Sequence, residues 1–259
     1  MARIIAVANQ KGGVGKTTTA VNLAAALARA PQRVLLVDLD AQGNATMGSG
    51  VDKREVEAST CDVLLGEVEA RAAVVTTAEG FDLMPGNIDL TAAEIQLMES
   101  DGREQRLKSA LQPIRGDYDF IIVDCPPALS LLTLNALIAA ESLIVPLQCE
   151  FFALEGLSQL LQTVERIKGR FNPALSILGV ALTMYDKRNR LTEQVADDVR
   201  SCLGDLVFDT VIPRNVRLSE APSHGLPALV YDHRCAGSEA YMKLARELIG
   251  RLPVRELAA

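Results

Sequence analysis

Short aliphatic runs alternate with helical periods along the chain. Residues 3–8 form a run of β-formers, and residues 17–29 place Ala20, Val21, Leu23, Ala24, Leu27 and Ala28 on one stripe of a helix. Further strands are predicted over 33–37, 81–84, 119–123, 142–147, 176–183 and 206–212, with helices over 91–100, 103–112, 129–140, 154–169, 191–203 and 238–252. The runs at 33–37 and 119–123 are aliphatic without alternation, which marks strands covered on both faces. Interleaved with helices, such strands predict an α/β fold: a mostly parallel, twisted sheet with helices on both faces, whose ligands lie beyond the carboxyl ends of the strands. No Pro/Gly/Ser-rich linker interrupts the pattern, so one domain is expected over 1–259, closed by a packing helix at 238–252.

Composition narrows the classes further. With 259 residues, 49% of them hydrophobic and 23% charged, the chain can bury a full core, which excludes intrinsic disorder. The apolar start is broken at Asn9, too early for a secretion signal. The most apolar stretch, 129–147, is interrupted by Ser130, Thr133, Asn135, Glu141 and Ser142, and reads as a buried helix and strand rather than a membrane span. Cys61, Cys125, Cys149, Cys202 and Cys235 stand singly, with no C-x-x-C pair, which suggests reduced thiols in a cytoplasmic protein. A net charge of −7 disfavours coating of nucleic acid by the overall field but leaves room for a local basic patch.

Chemistry concentrates after the first strand, where Asn9-Gln10-Lys11-Gly12-Gly13-Val14-Gly15-Lys16-Thr17-Thr18-Thr19 leads into a helix. Glycines let successive N–H groups curl around phosphate oxygens, and the helix N-terminus adds a favourable partial charge. Lys16 is placed to reach the β and γ phosphates and the Thr17 hydroxyl to ligate Mg²⁺. Asp124, ending the strand at 119–123, is placed to bind that ion directly or through water. Asp38 and Asp40, two residues apart on an extended segment, share a face and suit the positioning of Mg²⁺ and an attacking water.

The loop departs from the common G-x-x-x-x-G-K-[ST] form: Gln10 replaces its first glycine and Lys11 adds a second lysine. In this it resembles the deviant Walker A motif of the ParA/MinD family of ATPases. Val37-Asp38-Leu39-Asp40-Ala41-Gln42-Gly43-Asn44-Ala45-Thr46 is similar to that family's switch I, Ile121-Ile122-Val123-Asp124-Cys125-Pro126-Pro127 to its Walker B and switch II, and Ile212-Pro213-Arg214-Asn215 to its adenine-side loop. The continuation Val216-Arg217-Leu218-Ser219-Glu220-Ala221-Pro222 is similar to chromosomal, Soj-like members, while residues 48–80 carry no motif. The resemblance implies ATP and Mg²⁺ as ligands, held by Lys11, Gly12, Gly13, Val14, Gly15, Lys16, Thr17 and Thr18, with Pro213 and Asn215 at the base and Thr17, Asp38 and Asp124 at the metal. It implies Asp40 as the residue needed for hydrolysis, and Lys11 as a charge reaching across a two-fold interface to the partner's phosphates, so that nucleotide binding and homodimerisation are one event.

The resemblance further implies that Arg190 and Arg217 contact the phosphates of double-stranded DNA without sequence readout, and that a ParB-type partner stimulates hydrolysis at the nucleoid. Charge alone is neutral on this: 185–220 holds Lys187, Arg188, Arg190, Arg200, Arg214 and Arg217 against Asp186, Glu193, Asp197, Asp198, Asp205, Asp209 and Glu220. Two relatives sharing the loop predict other functions. Membrane-bound division-site regulators of the MinD type end in a basic amphipathic helix, whereas here 238–252 runs into Pro253-Val254-Arg255-Glu256-Leu257, which lacks a bulky apolar cluster, so no membrane binding is expected. Cluster carriers need paired cysteines, which are missing.

Overall fold

The computed structural model describes residues 1–151 and 153–252; the segment after 252, with Pro253, lies outside the described residues. Its strands are β1 (Arg3–Val7), β2 (Val34–Asp38), β3 (Val75–Thr76), β4 (Asp82–Met84), β5 (Phe120–Asp124), β6 (Ser142–Gln148) and β7 (Ser176–Thr183). They form one sheet in the order β3-β4-β2-β5-β1-β6-β7, parallel except for β3, which runs antiparallel to β4 at one edge. Helices α1 (Lys16–Arg29), α2 (Asn44–Gly48), α3 (Thr60–Leu65), α4 (Leu90–Leu97), α5 (Arg106–Leu111), α6 (Leu131–Ala139), α7 (Ala153–Arg170), α8 (Arg190–Leu203), α9 (Val216–Glu220), α10 (Ala228–Tyr231) and α11 (Ala236–Arg251) complete it.

Alternate residues of one strand face opposite sides of a sheet. Ile4, Ala6, Leu35, Val37, Ile121 and Val123 enter one apolar core with α3 to α8, while Ile5, Val7, Val34, Leu36, Phe120 and Ile122 enter the other with α1 and α11. Between their charged end residues the central strands are therefore apolar on both faces, because both faces are covered. The helix expected at 238–252 is α11, packed on α1 through Tyr241, Leu244, Ala245 and Leu248.

One expected strand is corrected. Residues 206–212 do not form a strand: the segment lies parallel to the sheet edge but bridges it only where Val207 meets Val180, and again just beyond, where Pro213 meets Tyr185. Its apolar positions are buried as a strand's would be, at Val207, Phe208 and Ile212. Between them the Glu247 carboxylate of α11 takes the N–H groups of Asp209 (2.8 Å) and Thr210 (2.9 Å), so the ladder cannot continue. The buried Phe208 ring also occupies the space where Gly179 of β7 lacks a side chain; a Cβ there would stand 2.7 Å from its Cζ. The helix expected over 103–112 is likewise shorter, because 103–105 and 112–114 are tighter 3₁₀ turns flanking α5.

Candidate functional site

Strand register assembles the site. Val7 pairs with Asp124 and Asp38 pairs with Asp124, so the carboxyl ends of β1, β5 and β2 stand level, with both carboxylates side by side. The chain leaving β1 forms the glycine loop and enters α1 directly above them. Gly13 (φ 73°) and Gly15 (φ 88°) occupy the left-handed region that only glycine adopts cheaply, which is how the loop curls. The Asn9 side chain anchors the entrance, donating to the Pro146 carbonyl (2.8 Å) and accepting from the Lys11 N–H (3.0 Å).

Lys16 is buried, and its ammonium donates to the Lys11 carbonyl at 2.9 Å, closing the loop on itself. Burial holds its pKa below the usual lysine range, against the opposing fields of Asp124 and Asp40. The Lys11 side chain points elsewhere: it is half exposed and ion-paired with Glu150, just past β6.

The two buried aspartates differ in what satisfies them. Asp38 accepts from the Thr46 N–H (2.8 Å), the Thr46 hydroxyl (2.8 Å) and the Asp40 N–H (3.1 Å). Thr46 in turn accepts from the Gly86 N–H at 2.8 Å, so Asp38 pins the switch I-like segment to the end of β4. Both Asp124 oxygens are buried with no hydrogen-bond partner among the described residues. Burial and the repulsion of Asp38 push Asp124 well above the usual carboxylate range, while the nearby Thr17 hydroxyl and Lys16 favour its charged form. A dehydrated carboxylate without a partner is costly unless a cation completes it. A cation that brings phosphate and water oxygens with it needs only one or two protein ligands, and Thr17 with Asp124 fits that requirement. Asp40 is half-buried at the rim, one oxygen accepting from the Gln42 N–H at 2.9 Å.

A stability prediction follows from these carboxyls. Asp38 is pushed up to about 6 by burial, and Asp124 is raised as well, so in both cases the native state binds protons that the unfolded state releases. These two carboxyls should therefore cost the metal-free chain stability as pH rises from about 4 through 6 and beyond. Asp124→Asn should flatten that slope and raise the melting temperature at pH 7.5 by a few degrees, on the scale of roughly 1 kcal/mol. Thermal melts across pH in the presence of chelator measure both effects.

A second feature adjoins the other end of the loop. A cavity of about 290 Å³ is lined by Gly15, Thr18, Thr183, Met184, Pro213 and Asn215, among others. Pro213 and Asn215 share this cavity with Gly15 and Thr18 of the loop. The Asn215 carbonyl oxygen caps α9 by accepting from the Arg217 N–H at 2.8 Å, and its amide N–H₂ has no partner among the described residues, which leaves donors for a ring nitrogen. Tyr241 of α11 forms part of the wall, with its hydroxyl 3.1 Å from the Thr19 hydroxyl. Tyr241, Thr183 and Glu150 were not found from the sequence, because no motif contains them and only the fold brings them to the loop; Thr46 closes the switch I-like segment, but its bond to Asp38 is visible only in the fold.

The arginines expected at DNA open on one edge. Tyr185 donates to the Ile212 carbonyl (3.0 Å) and Arg214 to the Tyr185 carbonyl (3.0 Å), which ties the two loops together. Arg190 begins α8, exposed and without an ion pair among the described residues. Arg217 is half exposed and bound to Glu220 (2.8 Å) and Asp232 (3.4 Å). Lys187, Arg188, Arg214 and Lys243 line a cleft beside them. His224 stacks on Tyr231 at 4.9 Å and serves packing. No helix among the described residues is long and apolar enough to cross a membrane.

Comparison with known proteins agrees with this geometry. A family profile described as an AAA domain matches residues 2–177. The chain is 55% identical to the chromosome partitioning protein ParA of Caulobacter vibrioides, covering 99% of this chain and 97% of that one. It is 53% identical to the sporulation initiation inhibitor protein Soj of Bacillus subtilis, covering 96% of this chain and 98% of that one. A solved structure named cobyrinic acid a,c-diamide synthase, from Mycobacterium smegmatis with bound ATP analog and magnesium, superposes with a TM-score of 0.85 at 43% identity, covering 96% of this chain and 95% of that one. With a glycine loop, a buried carboxylate pair and full-length similarity in agreement, the chain belongs to the ParA/Soj family of chromosome-partitioning ATPases.

Proposed function

We propose that the chain binds ATP with Mg²⁺, dimerises upon doing so, holds double-stranded DNA without reading its sequence, and lets go when a ParB-type partner stimulates hydrolysis. The observation that carries this reading is the pair of unsatisfied Asp124 oxygens beneath the glycine loop, beside Lys16 and Thr17. The loop amides from Gly12 to Thr18 and the Lys16 ammonium bind the phosphates. Thr17 and Asp124 hold the metal, with Asp38 keeping the adjoining segment in register. Bound there, Mg²⁺ supplies charge neutralisation on the phosphates. Asp40 orients the water, and Pro213 and Asn215 hold the base. Lys11 serves the partner's phosphates rather than its own, and Arg190 and Arg217 contact DNA phosphate. Such a protein works in the cytoplasm, on the nucleoid.

The test is DNA affinity measured with ATP, with ADP and without nucleotide. ATP should tighten binding roughly 10-fold or more, as expected when ligand and dimer are linked, and the affinity should fall steeply with salt. Asp40→Ala should hold DNA with ATP and not hydrolyse it; Arg217→Ala should assemble with ATP but lose DNA. Equal affinity in all three nucleotide states defeats the proposal. Two controls address other members of the fold: phosphate release that requires a small carboxylate substrate favours a ligase, in keeping with the name of the Mycobacterium structure, and ATP-dependent sedimentation with liposomes favours a membrane-bound regulator.

A further inference from the structure

Thr183, the last residue of β7, is almost fully buried, and its hydroxyl donates to the Val14 carbonyl of the glycine loop at 2.8 Å, across 169 residues of sequence. Its Cγ2 and Cβ lie 3.9 and 4.0 Å from where Gly15 would carry a side chain, so it also packs against the loop backbone. A trans peptide points its C=O and the next N–H in opposite directions. Holding the Val14 carbonyl toward β7 therefore turns the Gly15 N–H away from β7. That N–H has no partner among the described residues and stands at the N-terminus of α1. A carbonyl left free to rotate would instead present an oxygen to the phosphates and repel them.

The next residue extends the connection. Met184 (φ 50°) is the non-glycine residue with positive φ among the described residues, a conformation that surrounding contacts must enforce. Those contacts are visible on both sides: Thr183 is bound to Val14, and Tyr185 is tied to Ile212 and Arg214, the segment carrying Pro213 and Asn215. Thr183 and Met184 both line the base-side cavity, next to Gly15.

We propose that Thr183 is a positioning residue for ATP: its hydroxyl sets the Val14–Gly15 peptide in the phosphate-receiving orientation and joins the phosphate loop to the base-side cavity. This rests on the ATPase reading above and names a residue outside every motif that supports it.

The experiment displaces a fluorescent ATP analogue from the full chain with MgATP, with inorganic tripolyphosphate and with adenosine. Thr183→Val keeps the branched shape and removes the donor. It should weaken MgATP and tripolyphosphate alike, by roughly five- to ten-fold, as one buried hydrogen bond would, and leave adenosine within about two-fold, since the isosteric valine keeps Thr183's share of the cavity wall. Thr183→Ser keeps the donor and should stay within about two-fold of wild type for all three ligands. Wild-type MgATP affinity in Thr183→Val overturns the proposal, as does a loss shared by adenosine, which signals a collapsed cavity. Failure of Thr183→Ser to keep phosphate affinity overturns it too, including where the valine variant does not fold. A wild-type chain that binds adenosine and tripolyphosphate no better than buffer sinks the ATPase reading itself, a different and separable result.

Discussion

Lys16→Ala is expected to abolish MgATP binding at any practical concentration, raising Kd by about 100-fold or more and removing nucleotide-dependent turnover with it. Hydrogen bonds to charged groups contribute roughly 1.5–3 kcal/mol each, and a lysine bridging two phosphates makes at least a pair of them. The side chain is already in place: it is buried, and its ammonium is held on the Lys11 carbonyl at 2.9 Å beneath the curl of the loop. Burial depresses its pKa, so part of the cost of dehydrating the ammonium is met before any anion arrives. An anion entering the loop thus meets a poised charge rather than a flexible one. Calorimetric titration with MgATP, alongside a melting curve showing that the variant folds, checks the outcome. Binding within a few-fold of wild type would require a different phosphate receptor, and the assignment of the loop would fail.

Lys11→Ala is expected to behave differently. Single-subunit affinity for MgATP should change little, while ATP-dependent assembly and partner-stimulated turnover fall, the latter by roughly 10³-fold, the scale seen for a charge supplied from a neighbouring molecule. The basis is where the ammonium points. It leaves the loop and pairs with Glu150, although the Lys11 carbonyl remains inside the loop on Lys16. Both partners are more than a third exposed, with side-chain accessibilities of 41% and 36%. An ion pair this open contributes at most about 1 kcal/mol, so an approaching triphosphate can displace Glu150 with little resistance. Light scattering with a non-cleavable analogue reads assembly, and phosphate release reads turnover. If assembly and turnover both survive the substitution, the two-fold arrangement is wrong, while the Lys16 result would still stand. The two variants therefore separate binding within one subunit from chemistry between two.

The division between pattern and packing is clear in particular residues. Unbroken aliphatic runs at 34–37 and 120–123 required cover on both faces, and the two cores supply it with alternate side chains of the same strands. The glycine loop was legible for a similar reason: its glycines, Lys16 and Thr17 are contiguous, so spacing alone expresses their geometry. The antiparallel β3 escaped notice because two residues carry no period, and 206–212 looked like a strand because its apolar positions are buried as a strand's are. What prevented its pairing is Glu247, on a helix some forty residues later, which no local pattern contains.

By itself, then, the sequence determined the layered α/β architecture, the phosphate loop and the identity of the carboxylates around it, since each depends on neighbours along the chain. Only the tertiary structure decided how those carboxylates divide their work. Asp38 and Asp124 read alike as acidic strand ends, yet Thr46 and the Asp40 amide saturate the first, while the second is buried without a hydrogen-bond partner among the described residues. It also decided that Lys11 faces Glu150 and that Thr183 steadies Val14, contacts spanning 139 and 169 residues. Local spacing encodes which groups are available; the free energy of a buried polar group depends on what the rest of the chain brings within reach of it, and strand register supplies that.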